Sequence, residues 1–100
     1  MIYSLVEKLK FDENPKLELK KGKYVEIKSD AETILTLLSI LQEKGEMEAI
    51  IAASELLFNE KDKKIIKALQ FEDFKETVST AMILALGEDP DKEENELGEK

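Results

Sequence analysis

The sequence predicts an α+β fold dominated by about four helices, with a small N-terminal antiparallel β-hairpin or three-strand meander packed against them. Three observations lead there. Alternation of apolar and charged residues, the mark of a half-buried strand, is confined to the stretch before residue 28. From Ser29 to Gly87 the apolar residues instead recur at three- and four-residue intervals, as one face of a helix requires. The 13 residues after Gly87 carry seven acids, two lysines and a single large apolar side chain, Leu97, which is too little to bury, so a disordered tail is expected there. Residues 1–87 are therefore read as one globular domain, β-rich over 1–28 and helical over 29–87, followed by an acidic tail at 88–100.

The strands come first. In Leu17-Glu18-Leu19-Lys20-Lys21-Gly22-Lys23-Tyr24-Val25-Glu26-Ile27-Lys28, two alternating runs surround a turn, with Leu17, Leu19, Val25 and Ile27 on the inner face. Gly22 supplies the positive φ that such a turn needs, free of a Cβ clash. Upstream, Tyr3, Leu5, Leu9 and Phe11 read as a third strand ended by Asn14-Pro15, although their spacing also suits a short helix.

The first helix opens on Ser29-Asp30-Ala31-Glu32, a capping box in which Ser29 accepts from the amide three residues on and Glu32 reaches back. Ala31, Ile34, Leu35, Leu38 and Leu41 then hold one face as far as Lys44-Gly45, while Leu37 and Ile40 widen the stripe beyond what one contact needs. A second helix begins near Glu46 with Met47, Ile50, Ile51, Ser54 and Phe58 on one side, and Ala49, Ala52 and Ala53 permit close approach of a neighbour. Asn59 or Lys61-Asp62 should end it, and a short third helix carries Ile65, Ile66 and Leu69. The fourth, Glu72 to Leu86, has Phe71, Phe74, Val78, Ala81, Met82 and Ala85 at helical spacing on one side. Its acids Glu72, Asp73 and Glu76 suit the positive end of the helix dipole. Ile83, Leu84 and Leu86 spill round its far side, so its last two turns are either central in the core or covered by another chain.

Composition narrows function mainly by exclusion. The 100 residues include 15 lysines but no arginine, cysteine, histidine or tryptophan, and the net charge is −8. Disulfides, zinc fingers, thiol nucleophiles and imidazole catalysis are thereby excluded. So negative a chain is a poor binder of nucleic acid, whose phosphates are met by Lys and Arg. No apolar run is long enough for a membrane span, and the amino-terminal residues lack the pattern of a signal peptide, so no membrane partner and a cytoplasmic location are expected.

Specific sites fare no better. No Gly-rich phosphate loop is present, since the four glycines are scattered at 22, 45, 87 and 98. A calcium loop beginning at Asp89 would need Gly at its sixth position and Glu at its twelfth, but Glu94 and Lys100 stand there. Ser4, Ser29, Ser39, Ser54 and Ser79 all lack the preceding Asp of an acyl-carrier attachment motif. Most carboxylates interleave with lysine on exposed faces and form no recognisable catalytic pair. No catalytic residue, metal ligand or cofactor is expected, and the protein is read as a non-enzyme.

The order Leu56-Leu57-Phe58-Asn59-Glu60-Lys61-Asp62, then Lys64-Ile65-Ile66, then Leu69-Gln70-Phe71-Glu72-Asp73-Phe74, ending at Gly87-Glu88-Asp89, resembles the tail assembly chaperones of long-tailed siphophages and related prophages. It departs from their pattern at Asn59, where Gly is usual. The resemblance covers roughly residues 17–90, is one of order and spacing, and contains no chemically obligatory residue. It implies a non-enzymatic factor of the host bacterial cytoplasm, absent from the mature virion, that keeps the tape measure protein soluble during tail assembly. Many such chaperones also exist in a longer, frameshifted form whose extension recruits the tail tube protein. Self-association is compatible with the apolar excess. The residues expected to meet the partner are Leu37 and Ile40 on the first helix and Ile83 and Leu86 on the last, being apolar positions outside the cleanest stripes. The alternative is a small acidic inhibitor, antitoxin-like or mimicking nucleic acid, which the charge and the tail would suit.

Overall fold

A computed structural model describes residues 1–2, 4–5 and 14–88, and within them the chain is α+β and mostly helical. Two strands, β1 (Lys16–Lys20) and β2 (Lys23–Glu26), form an antiparallel hairpin. Four helices follow: α1 (Ala31–Glu43), α2 (Glu46–Leu56), α3 (Glu60–Lys67) and α4 (Phe71–Ala85). The residues Tyr3, Leu9 and Phe11, expected in a third strand or short helix, lie outside the described residues, as does the tail at 89–100; Leu5 is in neither helix nor strand.

The hairpin turns at Gly22, whose φ of 82° lies in the left-handed region, and the Glu18 carboxylate accepts from the Gly22 amide at 3.1 Å. Leu17 pairs with Val25 and Glu18 with Tyr24; an irregularity between Glu18 and Lys20 then brings Lys20 opposite Lys23. Val25 and Ile27 are fully buried. Beyond β2, Ile27 donates to Pro15 at 2.9 Å and so extends the hairpin, while Lys28 donates to Leu57, just past α2, at 2.8 Å and ties it to the helices. Asp62, a buried carboxylate in the first turn of α3, accepts the Glu26 N–H at 3.0 Å. Asn59 caps that helix by accepting from Asp62 N–H at 2.8 Å, so the residue that departs from the resemblance acts as an N-cap.

α2 packs against both α1 and α4, and α4 also against α3. Its inward face, Ala49, Ile50, Ala53 and Ser54, leads into the buried pair Leu57 and Phe58, the latter the largest fully buried side chain. Ile66, Val78, Ala81 and Ala85 complete the core from α3 and α4. Met47 and Ile51, expected on the inward side of the second helix, are exposed.

One local expectation is corrected. The N-cap of α1 is Asp30, which accepts from the Thr33 amide at 3.2 Å and from the Thr33 hydroxyl at 2.7 Å; Ser29 instead donates to Asn14. A carboxylate next to the serine wins the cap because an ionised acceptor bonds more strongly to helix amides. The first helix does stop at Lys44-Gly45, with Lys44 as its C-cap, but Gly45 makes no left-handed turn: it sits at φ −70° in extended conformation as the N-cap of α2. The glycine that does close a helix in the left-handed region is Gly87 (φ 82°): its amide bonds Leu84 C=O and that of Glu88 bonds Ile83 C=O, the paired bonds of a Schellman motif.

Candidate partner-binding surface

The phase of α1 decides which of its leucines are free. α1 turns Thr33 and Leu37 into the core, Leu37 being 0% exposed. Helical geometry of 100° per residue then sets Leu35 about 160° and Leu38 about 100° away from Leu37, with Leu41 about 40° from it near the end of the helix. They are 66%, 43% and 39% exposed, and Ile34 beside them is half-buried. These leucines step along one flank of the helix at three-residue intervals, a stripe that no other described element covers.

Leu37 was expected at the partner surface, and the structure overturns that: it is a core residue and cannot meet another chain while α1 stays packed. A helix whose apolar residues span more than half its circumference can be rotated either way on periodicity alone, and the rotation that packs on α2 buries Leu37 and leaves Leu35, Leu38 and Leu41 more exposed. Ile40, Ile83 and Leu86 are each half-buried. Leu86 packs against the core together with Met82 and Leu84. Ile40 stands on α1 and Ile83 on α4, with α2 packed against both helices.

The electrostatic surroundings are uneven. Residues 31–56, spanning α1 and α2, carry five glutamates against one lysine, whereas 16–28 carry five lysines against two glutamates. Glu55 is tied into this pattern by ion pairs with Lys67 and Lys63, and its carboxyl is held below the usual range, first by the Lys67 hydrogen bond. Lys75 lies 5.6 Å from the ring centroid of the exposed Phe71, and it also reaches Glu72.

Polar groups in the core serve the fold. Asp62 spends its carboxylate on the hairpin, Ser54 donates to the Ile51 carbonyl at 2.6 Å, and Thr33 donates to Asp30. Among the described residues no cluster of three or more His, Cys, Asp or Glu side chains converges to hold a metal ion, and no helix is long and apolar enough to cross a membrane. Compared with family models, curated proteins and solved structures, the chain matches none.

Proposed function

We propose that the protein is a phage or prophage tail assembly chaperone, a non-enzymatic factor that holds the tape measure protein in solution through apolar helix faces. The observation that carries this reading is the uncovered stripe Leu35, Leu38 and Leu41 on α1. A contiguous apolar surface on a small acidic chain marks a place where another polypeptide docks. An amphipathic helix, laid along the stripe, would bury these leucines against its own apolar residues at i, i+3 and i+4 spacing. Ile40, Ile83 and Leu86 remain in the proposed contact as half-buried margins. The net charge of −8 keeps a loaded complex soluble, and the glutamates of α1 and α2 favour partner helices flanked by lysine or arginine. The tail tube protein would be met only by a longer form. The acidic-inhibitor reading gains less, because the hairpin is basic over residues 16–28.

The test is co-expression with the tape measure protein encoded in the same tail gene cluster, scored as the fraction of that protein left in the soluble lysate. The chain should raise that fraction, and Leu35→Glu with Leu38→Glu should abolish the gain while far-ultraviolet circular dichroism and thermal midpoint stay as in the parent. A folded double variant that still solubilises the tape measure protein refutes the assignment.

A further inference from the structure

The turn of the hairpin carries three lysines around Gly22: Lys20, Lys21 and Lys23. The register places Lys20 directly opposite Lys23, and like charges so placed repel. Neither has a carboxylate within ion-pair distance among the described residues. Of the two glutamates of the hairpin, Glu18 accepts from the Gly22 amide within the turn and Glu26 accepts from the Asn14 side chain at 2.8 Å.

Beside these lysines lies an apolar groove of about 270 Å³, with Leu19, Tyr24 and Val25 on the hairpin side and Ile65 and Leu69 opposite. Tyr24 is 58% and Ile65 38% exposed. The edge of β2 turned away from β1 is the one on which Glu26 N–H meets Asp62. Alternation along an antiparallel strand turns the N–H and C=O of Tyr24, two residues earlier, to the same edge.

We propose that this groove docks an extended acidic peptide segment of a partner protein, with one leucine-sized side chain seated against Val25 and Ile65 and its carboxylates beside Lys20 and Lys23. Charge complementarity selects the occupant, since the hairpin has five lysines against two glutamates over residues 16–28. The groove has room for one side chain. An extended segment can also exchange backbone hydrogen bonds at Tyr24, as in strand addition to a sheet edge. Lysines at a sheet edge guard against aggregation by themselves, but that role needs no apolar groove beside them. This surface is basic where the α1 stripe has acidic neighbours, so it goes beyond the proposed chaperone contact and is independent of it.

The probe is a fluorescein-labelled Glu-Glu-Asp-Leu-Glu-Glu peptide titrated with the full chain and followed by fluorescence anisotropy. Saturable binding is expected, weaker at about 200 mM than at about 50 mM salt. Lys20→Glu with Lys23→Glu should weaken it by about tenfold or more, and Ile65→Ser, or Leu→Ser in the peptide, by roughly threefold or more. Circular dichroism verifies that each variant is folded, and Lys20→Gln with Lys23→Gln serves where charge reversal unfolds the hairpin. Leu35→Glu with Leu38→Glu should leave peptide binding unchanged, which separates failure here from failure of the chaperone reading. The proposal is overturned by absence of saturation up to about 1 mM chain. It is equally overturned if binding answers to the lysines but not to Ile65 or the peptide leucine, or if phosphatidylserine vesicles or heparin bind and the peptide does not compete.

Discussion

Truncating two leucines that lie two residues apart on α1 should give opposite results, because Leu37 is fully buried and Leu35 is two-thirds exposed. Leu→Ala removes the equivalent of three CH₂ groups, worth about 2.4 kcal/mol of transfer free energy when buried. The unfilled space left behind brings measured losses at buried sites to about 3–5 kcal/mol. At Leu37, enclosed on every side, the expected loss is about 3 kcal/mol. At Leu35 only about a third of the transfer term applies, roughly 0.8 kcal/mol, and no enclosed cavity forms. The better helix propensity of alanine returns about 0.2 kcal/mol. Urea unfolding monitored by circular dichroism separates them: with a slope of about 1.5 kcal/mol per molar for a small chain, Leu37→Ala should lower the midpoint by about 2 M and Leu35→Ala by less than about 0.5 M. Equal shifts, or a larger one at Leu35, would mean that α1 is rotated from the orientation described and that the stripe is core.

Asp62→Ala should cost about 2 kcal/mol, since the amide of Glu26 loses a charged acceptor in a part-buried place, and should speed hydrogen exchange at Glu26; Asp62→Asn, which keeps an acceptor, should cost less than half as much. Equal losses for the two substitutions would show that Asp62 does not hold the hairpin through that bond. The Asp30 carboxyl is held below its usual range by the Thr33 hydroxyl and then the Thr33 amide. With the folded value depressed, its contribution is present above the unfolded value near 3.9 and is lost as pH falls through the lower folded value. The gap in urea midpoint between parent and Asp30→Asn should therefore be steady above about pH 5 and close as the pH drops below about 4; a gap unchanged down to about pH 2.5 would contradict the cap.

Much of the architecture was legible in the residues. Alternation at Leu17, Leu19, Val25 and Ile27 marks the hairpin, and Gly22 does adopt the left-handed turn. The four helices fall near the expected stretches, but Phe58 and Leu69, expected on the second and third helices, lie just past α2 and α3, and α4 is displaced by a single residue from Glu72–Leu86 to Phe71–Ala85. What periodicity could not supply was rotation about a helix axis. On α2 Ala49, Ile50, Ala53 and Ser54 face inward while Met47 and Ile51 stay out, a division that an i, i+3, i+4 count does not distinguish. The basic groove was equally hidden, because Ile65 and Leu69 meet Tyr24 only once Asp62 has brought α3 against β2.

The α1 stripe shows why an ambiguity of phase and the proposed partner surface arise at the same place. A helix with just enough apolar residues for one contact has only one way to bury them, and its sequence states its orientation. α1 carries Ile34, Leu35, Leu37, Leu38, Ile40 and Leu41 within eight positions, more than its packing on α2 can cover, so several rotations would bury a comparable area. Periodicity then leaves the choice open, and the packing of α1 on α2 resolves it with Leu37 inside. The same excess leaves leucines outside whichever rotation wins. Ambiguity in the sequence is therefore a sign of surplus apolar surface, and in a chain this acidic that surplus is what a partner polypeptide would be expected to cover.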